Sequence, residues 1–197
     1  MGSYIREFDS FSNLRQKLSG MSFTLNWSPN GLTWRMEVAI ETIPVNALTA
    51  DAVLKHWQGH RRLTRKTIDA FPEDKLFQFS VGGMRPFGEM AWEFIRMAVP
   101  IVEGVSTGKW EEFKAPKPGT KSELLQLWDA QTAELDEKFP KIPEHRFSEV
   151  DKAFGQWEMP GIATIQYAID NEIHHRGQGF VYLRALGIEP PPFWVRD

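Results

Sequence analysis

Asp170-Asn171-Glu172-Ile173-His174-His175-Arg176-Gly177-Gln178 is the stretch on which the fold turns. It is a polar run set inside a helical period, with Ile162, Ile165, Ile169, Ile173, Phe180 and Leu183 at the apolar positions around it. That spacing predicts a helix from about Gly161 to Leu186. Gly187 ends it, and Pro190-Pro191-Pro192 prevents its resumption. Asn171 and His175 are four apart and share a face. His174 lies about 100° further round and is expected to be partly exposed or to support its neighbour. Glu172 reads equally well as an exposed helix charge. Arg176, if it faces inward, needs a carboxylate partner, and Glu89 is the candidate.

Working outward, three more helices are expected. Val53, Trp57, His60, Thr64, Ile68 and Phe71 follow three-four spacing from Thr49, and Pro72 closes the run. A second helix opens at Arg85-Pro86, where proline in the first turn loses no hydrogen bond, and runs through Phe87, Met90, Ala91, Phe94, Ile95 and Ala98. Pro100 is expected to kink or end it. Residues 104–121 read as a long surface loop. Thr120 with Glu123 forms a capping box for a third helix, to about Phe139, with Leu124, Trp128, Gln131 and Leu135 inward. Residues 140–160 hold Pro140, Pro143 and Pro160 and read as a second loop. Four helices joined by connections long enough to cross over predict an all-α four-helix bundle over residues 46–197.

Residues 1–45 are different. Tyr4 to Leu18 has the spacing of a short amphipathic helix. Phe23, Leu25 and Trp27, then Leu32, Trp34, Met36, Val38 and Ile40, alternate with other residues around the turn Ser28-Pro29-Asn30-Gly31. Such alternation predicts a β-hairpin, so this part is expected to be an N-terminal appendage of helix and hairpin.

Composition narrows the function. The chain has 197 residues, 42% hydrophobic and 25% charged, with 23 Lys+Arg against 26 Asp+Glu for a net charge of −3. The acidic balance argues against a nucleic-acid partner. No stretch approaches the ~20 apolar residues of a membrane span. The absence of cysteine excludes disulfides, thiolate zinc sites and cysteine nucleophiles, and fits a cytoplasmic protein. Phosphate loops, dinucleotide fingerprints and nucleophile elbows are absent, and Gly82-Gly83 is too short a signal for phosphate binding. Bundle interiors often carry metals on facing helices. Asn171, His175 and an acid of the second helix, Glu89 or Glu93, would give three N/O ligands with an open position. The alternative is an ordinary set of hydrogen-bonded helix groups. His56 and His60 form a rival pair, disfavoured by Lys55, Arg61 and Arg62, and His60 lining the bundle interior is the better reading. His145 has no visible partner.

At this point a family resemblance enters. His175-Arg176-Gly177-Gln178 followed by Val181-Tyr182-Leu183-Arg184-Ala185-Leu186-Gly187 resembles the closing helix of the DinB/YfiT-like family. Arg85-Pro86-Phe87-Gly88-Glu89-Met90-Ala91-Trp92-Glu93 resembles its second helix, and His56-Trp57 through Phe71-Pro72-Glu73-Asp74-Lys75-Leu76 its first. The resemblance spans residues 48–194. It implies a four-helix bundle with a long crossover, commonly a homodimer. It also implies a divalent metal such as nickel or zinc on three histidines and, in some members, thiol-dependent transferase or isomerase chemistry.

Carried over by position, the metal histidine before Arg-Gly-Gln matches His175. The other two fall on Asn171 and Glu93, which are not histidines. A Glu93/Asn171/His175 set would bind transition metals more weakly and lean toward manganese or magnesium. The same three residues could instead satisfy one another as a metal-free network. Two readings stand. In one the protein is a divalent-metal-dependent (nickel, zinc or manganese) transferase, isomerase or hydrolase of small molecules, with any thiol supplied as a low-molecular-weight cofactor. In the other it is a non-catalytic bundle acting by dimerisation or small-molecule binding. The family's damage-inducible name suggests stress response and DNA binding, and the net charge gives the latter no support.

Overall fold

The structure, a computed structural model, describes residues 21–28 and 31–38 as backbone and residues 48–196 in full. The chain divides into two compact units, Met1–Ala47 and Leu48–Asp197. In the first, β1 (Met21–Ser28) and β2 (Gly31–Val38) pair antiparallel, with Met21 opposite Val38 and Ser28 opposite Gly31. This is the hairpin that the alternation predicts. The expected helix over Tyr4 to Leu18 lies outside the described residues.

The second unit is a bundle of four long helices, α1 (Ala50–Ala70), α3 (Phe87–Thr107), α4 (Lys121–Lys138) and α6 (Gly161–Ala185). Short elements join them: α2 (Glu73–Leu76), a 3-10 turn (Phe139–Lys141), α5 (Glu144–Ser148), and a small hairpin of β3 (Val150–Ala153) and β4 (Trp157–Pro160). Both α1 and α3 pack against α4 and α6. The helix ends follow local chemistry. Thr49 caps α1 by accepting from Ala52 N, and the Thr120–Glu123 capping box forms reciprocally at the start of α4.

Two expectations need correction. Pro100 does not end α3, which continues to Thr107 and stops at Gly108 with φ +73°. Buried packing through Ile101, Val102 and Val105 holds the helix beyond the one hydrogen bond that proline removes. The region 140–160 is not plain loop. It holds α5 and the β3–β4 hairpin, fastened by Arg146, which donates to Val105 O (2.6 Å) and Asp151 Oδ2 (2.9 Å).

The apolar core comes in two parts. One is built on Val53, Trp57, Val102, Leu135, Phe139, Ile165 and Ile169, the other on Ile68, Phe71, Phe87, Ile95, Leu124, Trp128, Tyr182 and Leu183. At the level between them α1, α4 and α6 contribute His60, Arg61, Thr64, Gln131, Glu172 and Arg176, all buried. A polar layer therefore crosses the middle of the bundle.

Candidate functional site

The helical repeat of α6 sends residues 171 and 175 toward α3 and residues 172 and 176 toward α1. On the α3 side, Asn171 Nδ2 donates to Glu93 Oε1 at 3.1 Å and lies 3.6 Å from Met97 Sδ. His175 Nε2 stands 3.9 Å from the same Glu93 oxygen, too far for a hydrogen bond. Its Nδ1 is 3.0 Å from Gln178 Oε1, which can only accept, so the ring proton is assigned to Nδ1 and the Nε2 lone pair turns toward Glu93. The ring lies near-parallel to Phe94 at 6.0 Å. Glu93, Asn171 and His175 thus converge.

Glu93 has a further partner. Arg85, just ahead of α3, forms an ion pair with its other oxygen. Partial burial works to raise the Glu93 carboxyl. The hydrogen bonds from Arg85 and Asn171, with the charge of Arg85, outweigh it and hold the group below the usual carboxylate range. Glu93 and Met97 also line a cleft of about 480 Å³ with Arg96, Phe113, Trp157 and Tyr167. The β3–β4 hairpin supplies one wall and α6 another. The cluster therefore meets an open cleft of mixed aromatic, aliphatic and charged lining through Glu93.

These side chains do not fit a three-imidazole metal centre. The carboxylate is engaged by a guanidinium, a competing cation, and the Asn171 amide turns its NH₂ toward Glu93. Only one imidazole is present. Among the described residues, no group of three His, Cys, Asp or Glu is placed to hold an ion.

Toward α1 the structure shows groups that the sequence reading placed wrongly. Glu172 is 1% exposed, not a surface charge. It accepts from Trp57 Nε1 (3.2 Å) and Thr64 Oγ1 (2.6 Å). Arg176 pairs not with Glu89, which takes Lys117 instead, but with Glu172 at 3.8 Å. It also donates to His60 O (3.2 Å) and Thr64 Oγ1 (3.0 Å). Arg61, fully buried, stacks over Trp128 at 4.0 Å and donates to Thr132 Oγ1 (2.9 Å) and Trp128 O (3.2 Å). Burial pushes Glu172 up, against the pull of Arg61, Thr64, Arg176 and Trp57. Burial also lowers Arg61 to about 10 despite the nearby carboxylates. His60 is buried, as expected for a group lining the interior, while His56 and His174 are exposed and His145 faces Glu149 at 3.8 Å. A signal was present in the sequence: Ile165, Ile169, Glu172, Arg176 and Leu183 fall on one three-four stripe, so both charged residues occupy core positions.

Comparison with known proteins follows the bundle. The DinB family model matches residues 45–197. YjoA, an uncharacterized protein of Bacillus subtilis, is 22% identical over 148 residues, covering 74% of this chain and 96% of YjoA. YrdA, another uncharacterized protein of that organism, is 24% identical over 150 residues, covering 73% of this chain and 86% of YrdA. Among solved structures, a DinB-like protein of Bacillus cereus ATCC 10987 superposes with a TM-score of 0.60 at 21% identity, over 72% of this chain and 95% of that one. The structure of YjoA superposes at 0.62, over 74% and 98%. A mutant of a mycothiol-dependent maleylpyruvate isomerase superposes at 0.54 with 13% identity, over 68% of this chain and 62% of that one. No helix among the described residues is long and apolar enough to cross a membrane.

Proposed function

Since the chain belongs to the DinB family, we propose that it binds a small molecule in the cleft between α3, α6 and the β3–β4 hairpin and acts on it by acid–base chemistry at His175 and Glu93. The observation that carries this reading is the 3.9 Å gap between His175 Nε2 and Glu93 Oε1, with Gln178 holding the opposite ring nitrogen. The gap is too long for a bond between the two groups and leaves room for a proton donor that reaches both. An external thiol is the donor we favour. Its S–H proton passes to Nε2, the thiolate remains in the cleft, and Glu93 stabilises the imidazolium. The mycothiol-dependent isomerase among the similar folds supports that choice. The chain has no cysteine, so the thiol must arrive from solution.

Arg85 on Glu93 is why this reading is preferred to a nickel, zinc or manganese ion on Glu93, Asn171 and His175. The homodimer implied by the family belongs to the same proposal and is tested by analytical ultracentrifugation.

The experiment uses protein purified without an immobilised-metal column. Elemental analysis precedes calorimetric titration with cysteine, glutathione and mycothiol for wild type, His175→Gln and Glu93→Gln. The expected result is low metal content and a thiol that binds with proton transfer in wild type but not in His175→Gln. A stoichiometric metal that is lost in His175→Gln would overturn the metal-free reading. Thiols that bind no wild-type protein would overturn the thiol.

A further inference from the structure

The segment after α6 returns along α1 and ends in a contact that cannot be what it first resembles. His60 is 3% exposed and lies between two guanidinium groups. Arg176 Nη2 is 2.8 Å from its Nδ1, and Arg196 Nη1 is 3.1 Å from its Nε2. Arginine only donates, and a neutral imidazole accepts at one nitrogen and donates at the other. An imidazolium accepts at neither, and burial, with Arg176 and Arg196 beside the ring, keeps His60 neutral by lowering it to about 3. One of the two contacts is therefore a donor facing a donor.

Arg176 has the stronger claim on the lone pair. Its contact is shorter, and its other terminal nitrogen is anchored to His60 O and Thr64 Oγ1. The ring proton then sits on Nε2 and points at the Arg196 guanidinium. The carboxylate of this layer, Glu172, is already engaged by Trp57 and Thr64. Meanwhile the segment is seated closely on α1. Arg62 Nε donates to Arg196 O at 2.8 Å, and a Cβ on Gly59 would stand 3.3 Å from Arg196 Cβ. Among the described residues, the buried N–H and the guanidinium face each other beside a closely seated backbone with no acceptor oxygen placed to satisfy both.

We propose that an oxyanion, offering a phosphate or carboxylate oxygen, binds between His60 Nε2–H and Arg196 and fastens the C-terminal segment to α1. One acceptor oxygen satisfies both donors and replaces a repulsive contact with two hydrogen bonds, one of them charge-assisted. None of these residues lines the cleft at Glu93, so the site is separate from the one proposed for catalysis.

The test is a long-range ¹⁵N–¹H imidazole spectrum of the full ¹⁵N-labelled chain. It is titrated with inorganic phosphate in one arm and acetate in the other, at ionic strength held constant with chloride. The expected spectrum has the His60 proton on Nε2, and its resonance moves saturably with at least one of the two anions. A response to phosphate alone identifies a phosphate ligand, and a response to acetate identifies a carboxylate. Arg196→Gln is expected to weaken binding roughly tenfold and Arg196→Lys to weaken it less. Arg196 lies beyond the last helix, and circular dichroism of both variants verifies that the bundle is intact. The proposal is overturned if the proton is on Nδ1, if neither anion moves the resonance beyond the chloride control, or if Arg196→Gln titrates like wild type.

Discussion

Acid should loosen this protein through His60, and the size of the effect follows from its position. The folded ring titrates at about 3 and the unfolded one at 6.5. Below 6.5 the unfolded chain therefore takes up a proton that the folded chain refuses. The contribution is complete above 6.5 and drains away as pH falls toward the folded value. At about 1.4 kcal/mol per pH unit, the loss is roughly 2 kcal/mol by about pH 5 and roughly 5 kcal/mol at the lower limit. The assay is urea unfolding at a series of pH values from neutral to about pH 5, for wild type and His60→Gln. Replacing the ring also removes its hydrogen bond with Arg176, so absolute stability shifts at every pH. The reading is the slope. Subtracting the variant's profile removes the other titrating groups and should leave a difference that shrinks by roughly 2 kcal/mol over that range. Parallel profiles would refute the claim that this imidazole is held neutral between two guanidiniums.

Glu172 should behave in the opposite sense. Its folded value is raised, so its contribution is complete below the ordinary value of 4.5 and is lost as pH rises through the folded one, a fall that Glu172→Gln removes in the same urea series. Glu172→Leu, which leaves Arg61 and Arg176 buried without a carboxylate, should cost about 3–5 kcal/mol by urea midpoint. Gly104→Ala places a Cβ 2.2 Å from Trp110 Cε3 and should displace that ring from α3. A loss of about 1–3 kcal/mol and a red-shifted tryptophan emission are expected, and an unchanged spectrum would refute the displacement of Trp110. Thr120→Ala breaks the capping box of α4 and should lower stability by about 1 kcal/mol in thermal or urea unfolding.

The bundle was legible because its signals are local. Thr120 with Glu123 announced the start of α4, Pro72 and Gly187 marked where helices stop, and alternation through Leu32, Trp34 and Met36 revealed a strand. The convergence of Glu93, Asn171 and His175 was legible only through the family resemblance, since residues 78 apart in the chain share no local pattern. Arg61 was missed for a different reason. Between His60 and Arg62 it reads as one charge of a solvated run, and the Trp128 ring, Thr132 Oγ1 and the Trp128 carbonyl of α4 make its burial tolerable. Glu172 was misjudged by residue type, although its spacing placed it in the core stripe, and with it the partner of Arg176, expected inward but assigned to Glu89. The β3–β4 hairpin was hidden by its brevity. Its strands have four residues each, too few for alternation to show, and they are held by the Arg146–Asp151 pair, which no periodicity reveals.

One turn and a half of α6, from Asn171 to Arg176, looks two ways at once. Asn171 and His175 on one flank face Glu93 at the edge of the cleft, and Glu172 and Arg176 on the other flank clamp the interior of the molecule. Because a helix turns as a rigid rod, any rotation that adjusts the first set drags the second against α1. The two are geared together. Amide protons along this stretch should accordingly be among the slowest in the chain to exchange with deuterium, and a ligand entering the cleft should slow them further, on the face that it never touches.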